Sequence, residues 1–300
     1  MLALEALRAP QAVHTSPVWP LLQALVAACA LAVAWRQQER LRLPLLLALG
    51  AVFQIAWLGV HVVRGVDFPV DSGGAYPAEG KALLDGHYPA AEYPPGAVLL
   101  FALDVLLAGG RASGVRISHA LVMIPFELAT VVGIWALRTP RAAWFAAAAA
   151  LWPMNAFYWE FEYDLAPAAA LVLGLLFAFR GRWTLAGAVL GIGAALKWTP
   201  GLAALALVVW LVSSGWMRRA LACATGFACA FAALNLPFLV LWPSEFLAAY
   251  RHQGGRGITA ESFWYLPLRV LGLAHSESDA IYAAATVPSW ADLVAVGKNK

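Results

Sequence analysis

Eight apolar runs, each near the length of a membrane-spanning helix, fill most of this 300-residue chain. They lie at 18–35, 43–63, 115–137, 142–157, 165–179, 183–196, 201–217 and 220–242. A helix that crosses the hydrocarbon core needs about 20 apolar residues, within a range of about 17 to 25. In lipid every backbone N–H and C=O must find its partner inside the protein, so runs of this kind fold as helices. The charge content agrees: 12% of the residues are charged and 62% hydrophobic, against roughly 25% charged in a soluble domain. The expected fold class is an all-α polytopic membrane protein of about eight transmembrane helices, forming a single domain over 1–300. The net charge of +3 is too small to mark a nucleic-acid partner. Cys29, Cys223 and Cys229 lie in apolar stretches with no CxxC or zinc spacing, and read as packing residues. The first sixteen residues, MLALEALRAPQAVHTS, lack a basic head followed by a short apolar core, so no cleaved signal peptide is expected.

A ninth apolar stretch, GAVLLFALDVLLAG at 96–109, is too short to span and contains Asp104. A re-entrant or interfacial helix is expected there. With 96–109 not crossing, the loops alternate in charge. One set carries Arg36, Arg40, Arg42, Arg138, Arg141, Arg180, Arg182, Arg218 and Arg219, with Glu39 as its acid. Arg and Lys mark cytoplasmic loops. The other set, expected outside, holds nearly all the carboxylates. It comprises the polar stretch 66–95, the YWEFEYD segment at 158–164, Lys197 and the 243–266 loop. If 96–109 did span, three of the four Arg clusters would change sides and oppose the first. The charge pattern therefore favours the re-entrant reading and puts the N-terminus outside. The extracytoplasmic loops are then 64–111 and 243–266.

Four polar clusters share that outer face. They are Asp67 and Asp71 with Glu92 and Tyr93; Glu160, Glu162 and Asp164; Lys197; and Arg251, His252, Arg256 and Glu261. A carboxylate can take the proton of an attacking hydroxyl. Arg and Lys can hold a phosphate leaving group by charge-assisted hydrogen bonds. Asp164 and Lys197 border apolar helices, where a charge is costly unless paired or used. Glu79 and Asp85 read as solvated loop charges. Glu127, in VMIPFELAT, reads either as half of an interhelical pair or as part of a polar pocket beside Pro125. Gly187, Gly191 and Gly193 have the spacing of close helix packing. His61 and His119, at helix ends, read as interfacial. The sequence carries no HExxH, Walker or dinucleotide-binding motif, and no soluble domain for a nucleotide-sugar. A transferase built this way takes its donor through the membrane. No cofactor is expected: an acidic face could hold a divalent ion, but no ligand spacing demands one.

With these residues in view, the chain resembles a known family. The stretch from Asp71 through ALLDGHYP to EYPPGAVLLF resembles the first outer loop of polyprenol-phosphate-dependent glycosyltransferases of the GT-C fold, most closely glycosyltransferase family 87. Three later segments also resemble that family. They are YDLAPAAALVLGLLFAFRGR with Asp164, LAGAVLGIGAALKWTPGLAAL with Lys197 and Pro200, and YRHQGGRGITAESFWYLP with Arg256, Glu261 and Ser262. The resemblance implies a polyprenyl-phosphate-linked sugar donor, usually mannose, and a glycolipid or glycan acceptor outside a bacterial cytoplasmic membrane. It implies inversion at the anomeric carbon with an Asp base, placed on Asp71 first and Asp67 second. Tyr76 follows Asp71 by five positions, where the family's usual spacing is Asp-x-x-x-Tyr. Lys197 and Arg256 are the candidates for the donor phosphate. Glu92, Tyr93, Asp164, Glu261 and Ser262 are the candidates for substrate contacts. The resemblance also implies further helices beyond residue 300. The competing readings are a transporter or flippase of lipid-linked glycans and an inactive, truncated member of the family. A transporter would be expected to show repeat symmetry between its halves, and none is visible.

Overall fold

The computed structural model describes residues 25, 28–29, 31–37, 41–64, 72, 74–89, 93–139, 141–151 and 160–255, with two short strands at 275–276 and 285–286. Helical residues at 31–36 precede ten bounded helices. In chain order these are α1 (Leu43–Arg64), α2 (Ala75–Leu84), α3 (Pro95–Leu107), α4 (Ala112–Ala136), α5 (Ala142–Leu151), α6 (Leu165–Phe179), α7 (Trp183–Leu196), α8 (Thr199–Ser213), α9 (Met217–Leu241) and α10 (Pro243–Gly255). Among the described residues the architecture is all-helical apart from an antiparallel pairing of His275 with Thr286 and Ser276 with Ala285.

Most apolar runs fold as the helices expected of them, and α6 and α7 keep the expected ends. Lengths differ more. Among the described residues, 114–136 within α4 and the whole of α9 are long and apolar enough to cross a membrane. The apolar parts of α1, α3, α5, α6, α7 and α8 run only 10 to 17 residues. The physical reason is visible at the turns. After α6, Gly181 takes φ +72° and closes the helix, with Gly181 N–H bonded to the Ala178 carbonyl and Arg182 N–H to that of Phe177. Gly215, at φ +76°, ends α8 by the same pair of bonds, to Val212 and Leu211. A left-handed residue at this position is nearly free for glycine and strained for others. The break between α7 and α8 falls at Lys197, which is extended (φ −156°, ψ 144°). Pro200 does not break a helix. It sits in the first turn of α8, where the missing N–H costs nothing.

Two stretches read as loops are partly helical. The polar interval before α3 contains α2, whose Tyr76, Pro77 and Gly80 are buried. The start of the 243–266 loop is α10. Both are anchored by aromatic side chains that a window of hydropathy does not register. Phe246 of α10 and Tyr88, after α2, share a cluster with Val98 of α3 and Phe238 of α9. The short α3 is mostly buried and has two faces. Leu99, Leu103, Leu106 and Leu107 are exposed, while Ala97, Val98, Phe101, Asp104 and Val105 turn inward.

Glycines bring α7 and α9 into backbone contact. A Cβ on Gly187 would lie 1.9 Å from the Cys223 carbonyl oxygen, and one on Gly226 2.1 Å from that of Thr184. Gly191 meets the Phe227 carbonyl at 2.5 Å in the same way. This is the close packing expected of the small residues. Cys223 is buried at this contact, while Cys29 and Cys229 are exposed. Gly193 faces the other way, with Ala170 of α6 and Pro200 of α8 against it.

One group of arginines and the acidic 160–164 segment lie at opposite ends of the helices. At one end, Arg141 lies 5.3 Å from the Trp35 ring, Arg180 donates to the Ala136 carbonyl (3.5 Å), and Arg219 stacks over Trp183 and Trp216. At the other end, one apolar cluster joins Leu58 of α1, Phe101 of α3, Met123 of α4, Leu165 of α6 and Leu196 of α7. The acidic 160–164 segment and Lys197 belong to this second end. Inserting side-chain volume at an α7–α9 backbone contact forces a shift costing about 1–3 kcal/mol or more. Gly187→Val is therefore expected to lower the thermal unfolding midpoint in detergent. Gly59→Ala, with nothing within 4 Å of the added carbon, should leave it unchanged. Equal midpoints for the two variants would refute the packing.

Candidate active site at the acidic end of the bundle

The segment Glu160–Phe161–Glu162–Tyr163–Asp164 is the link into α6: Glu160 is helical, and residues 161–164 form a turn and link without regular helical hydrogen bonding. Glu160, Phe161 and Tyr163 are buried. Carbonyl groups so placed need partners from elsewhere, and they get them from distant parts of the chain. Ser72 donates its hydroxyl to the Glu160 carbonyl (2.8 Å) and its N–H to that of Phe161 (3.4 Å). His119 of α4 reaches the Glu162 carbonyl through Nε2 (3.2 Å). The side chains are held as well. Tyr76 donates to Glu162 Oε2 (3.1 Å), and Arg116 Nε lies 3.5 Å from Glu160 Oε1.

Tyr76 is the aromatic centre of the site. It stacks on Phe101 at 3.9 Å with an 8° tilt, and meets Tyr93 and Tyr163 edge to face at 5.6 and 5.9 Å. Such pairs fix ring orientation beyond what burial alone would do. Tyr163 in turn supports the charged pair. Lys197 Nζ lies 5.5 Å from its ring centroid and donates to Asp164 Oδ1. The pair is part-exposed, at 43% for Lys197 and 30% for Asp164, so it is reachable from outside the fold.

Of the residues singled out in the sequence, Tyr93, Asp164 and Lys197 come together around Tyr163. Asp67, Asp71, Glu92, Arg256, Glu261 and Ser262 lie outside the described residues, as does the side chain of His252. Ser72, next to Asp71 in sequence, is buried against Glu160 and Phe161. Arg251 is exposed on α10. Asp85 is solvated as expected, in an exposed i,i+4 pair with Lys81. Glu79, read as solvated, is half-buried with one carboxylate oxygen buried, and Glu127 is buried within α4.

The reading of His119 as interfacial is corrected. The ring is fully buried, with Nδ1 2.7 Å from Oδ2 of Asp104, itself fully buried on α3. A signal was present in the sequence: an acid in a short apolar helix, with a histidine one helix later. Its pairing was not readable, because the two lie in separate helices. Two tyrosines complete the rim. Tyr88 donates to the Tyr93 carbonyl (3.3 Å) and Tyr250 to Oδ1 of Asn235 (3.0 Å). Burial pushes the Tyr250 hydroxyl up to about 12. It pushes Tyr88 higher still, with further contributions from Tyr250 and Glu79. Both therefore stay protonated at neutral pH, as donors and not bases. An open recess lined by Arg182, Trp183, Thr184 and Ala222 lies at the basic end, away from all these groups.

A part-exposed ion pair of this kind couples weakly, at up to about 1 kcal/mol. In a double-mutant cycle on unfolding, Asp164→Asn and Lys197→Met are expected to show a coupling of that size. Strict additivity would mean that the pair does not form in solution.

The chain was compared with known proteins. The model of glycosyltransferase family 87 matches residues 92–296. The match takes in Tyr93, the 160–164 segment and Lys197, and leaves Asp67 and Asp71 outside it. Comparison with curated proteins gave no match, and comparison with solved structures gave none. The family match covers more than half of the chain; of the described site residues, Ser72, Tyr76 and Tyr88 precede it. The chain belongs to glycosyltransferase family 87 and is a glycosyltransferase.

Proposed function

We propose that this glycosyltransferase is a multi-pass enzyme of a bacterial cytoplasmic membrane, with a GT-C-like bundle of about eight spans. It moves a hexose, mannose in the first instance, from a polyprenyl-phosphate donor to a glycolipid or glycan acceptor on the outer face. The observation that carries this reading is the placement of Lys197 and Asp164 on Tyr163, at the bundle end opposite the arginines. Positive loops face the cytoplasm, so the acidic end faces out, where a lipid-linked donor is the available source of activated sugar. The exposed leucine face of α3 lies along the same end and suits a polyprenyl chain.

The reaction is an inverting displacement. The acceptor hydroxyl oxygen attacks the anomeric carbon, and the bond from that carbon to the phosphate oxygen breaks. The hydroxyl proton goes to a carboxylate, for which Asp71 is the first choice and Asp67 the second. Polyprenyl phosphate leaves with its charge neutralised by Lys197, joined by Arg256. Lys197 is well suited to this: it is a point charge on a flexible stem, and its present partner is a part-exposed carboxylate that an incoming phosphate can replace. Tyr93, Glu92, Asp164, Glu261 and Ser262 are proposed to position the sugars.

The test is transfer by purified protein in liposomes given polyprenyl-phosphate-mannose with a radiolabelled sugar. Wild type should transfer label to a mannolipid acceptor. Asp71→Asn should lower kcat by about 10²–10⁴-fold, the usual worth of a positioned base. Lys197→Ala should raise the donor KM by about tenfold, as expected for one lost charge-assisted bond. Full activity in Asp71→Asn would move the base to Asp67. Movement of intact donor across the bilayer without transfer would replace the enzyme reading by a flippase.

Sidedness has its own test. In a chain with Cys29, Cys223 and Cys229 replaced by alanine, a cysteine at exposed His87 should react with an impermeant maleimide from outside intact cells. One at exposed Arg218 should react only after the cells are opened. Ser72 is unsuited as a probe because it is buried. Equal labelling at the two sites would sink the proposed orientation.

A further inference from the structure

We infer that Asp104 and His119 are positioning residues of the transfer site, acting through the backbone of the 160–164 segment. The inference rests on the proposed site for its catalytic consequence, and on hydrogen-bond chemistry for its mechanism. The Glu162 carbonyl can only accept, so His119 Nε2, at 3.2 Å, must carry the proton of that bond. A free imidazole can place its proton on either nitrogen. If Nδ1 held it alone, the lone pair of Nε2 would face the carbonyl oxygen and repel it. Oδ2 of Asp104 lies 2.7 Å from Nδ1, and burial of both groups disfavours the net negative charge of a carboxylate beside a neutral ring, so the pair holds a second proton. Whether one proton between them sits on the carboxyl or on the ring, Nε2 keeps its own and the pair stays neutral overall. A neutral pair is what a fully buried location tolerates.

The consequence reaches both halves of the site. Glu162 is flanked by Phe161, whose carbonyl holds the N–H of Ser72, and by Tyr163, whose ring lies under Lys197. Ser118, one residue before His119, donates to the Asp104 backbone carbonyl at 2.7 Å, which fixes α3 against α4 at the same point. The second carboxylate oxygen of Asp104 is buried without a hydrogen-bond partner among the described residues. That is a cost kept for the sake of the imidazole contact. The pair thus sets the height of the segment that presents Asp164 to Lys197.

The test compares two substitutions at one position. An asparagine at 104 can donate its amide N–H to Nδ1 and so keeps the proton on Nε2, whereas a valine cannot. Amide hydrogen exchange, followed by mass spectrometry on the detergent-solubilised full chain, reads the segment directly. Asp104→Val should exchange faster in peptides covering 72 and 160–164, with α7 as protected as in wild type. Asp104→Asn should match wild type throughout. In the liposome assay with polyprenyl-phosphate-mannose, Asp104→Val should raise the donor KM by about tenfold, the equivalent of one lost buried hydrogen bond. Asp104→Asn should keep KM within about twofold, a change smaller than one such bond supplies.

Unchanged exchange at 160–164 in Asp104→Val would overturn the inference. So would equal loosening of α7, or a fall in kcat with KM unmoved, which marks lost folded protein. If Asp104→Val cannot be purified, faster exchange at 160–164 in Asp104→Asn overturns the inference and wild-type protection supports it. A wild type that transfers no mannose would remove the proposed substrate, and the exchange result would still decide the positioning role.

Discussion

The carbonyls of a buried link where a helix gives way must be satisfied from elsewhere, and the acidic end of this protein is arranged around that requirement. The groups that satisfy residues 160–162 come from the first polar interval and from α4. Each bond crosses dozens of residues of sequence, such as the 88 between Ser72 and Glu160. A segment held in this way cannot shift without leaving buried acceptors unpaired, which costs about 1–3 kcal/mol for each. Tyr163 and Asp164 inherit that rigidity, and Lys197 inherits it through them.

The second support is the tight contact of α7 with α9. Backbone contact through Gly187, Gly191 and Gly226 lets α7 lie flush against its neighbour, so its last residue emerges at a fixed place. Gly96 extends the same logic to α3, since a Cβ there would meet the Ala195 carbonyl oxygen at 2.5 Å. The extended backbone at Lys197 then turns the chain into α8. The ammonium group is flexible, while the point from which it reaches is fixed. The phosphate contact proposed for Lys197 calls for that combination.

Much of this was legible in the sequence. The apolar runs gave the helices, and the residues at the ends of α6 and α7 could be named because glycine and arginine punctuate them. The glycine spacing in α7 announced close packing, although the partner helix was not readable. The sequence separated Arg141, Arg180 and Arg219 from the acidic 160–164 segment, and the structure has them at different helix ends. The family was also legible, because its motifs are short and local. Less was legible where the decisive contact is distant. The helix α2 was hidden in a stretch rich in Pro and Gly, since it owes its place to Tyr76 against Phe101. His119 looked interfacial because nothing local to it shows Asp104.

What the sequence determined alone is the helical class, the order of the apolar helices and the clustering of arginines at one set of their ends. Those follow from solvation and backbone hydrogen bonding, which depend on composition within a window of residues. Tertiary structure decided which polar groups became partners: Asp104 with His119, Lys197 with Asp164, Tyr76 with Glu162. Such pairs form between side chains whose separation is set by helix packing. Burial then makes each pairing selective, because a polar group left without a partner there is expensive.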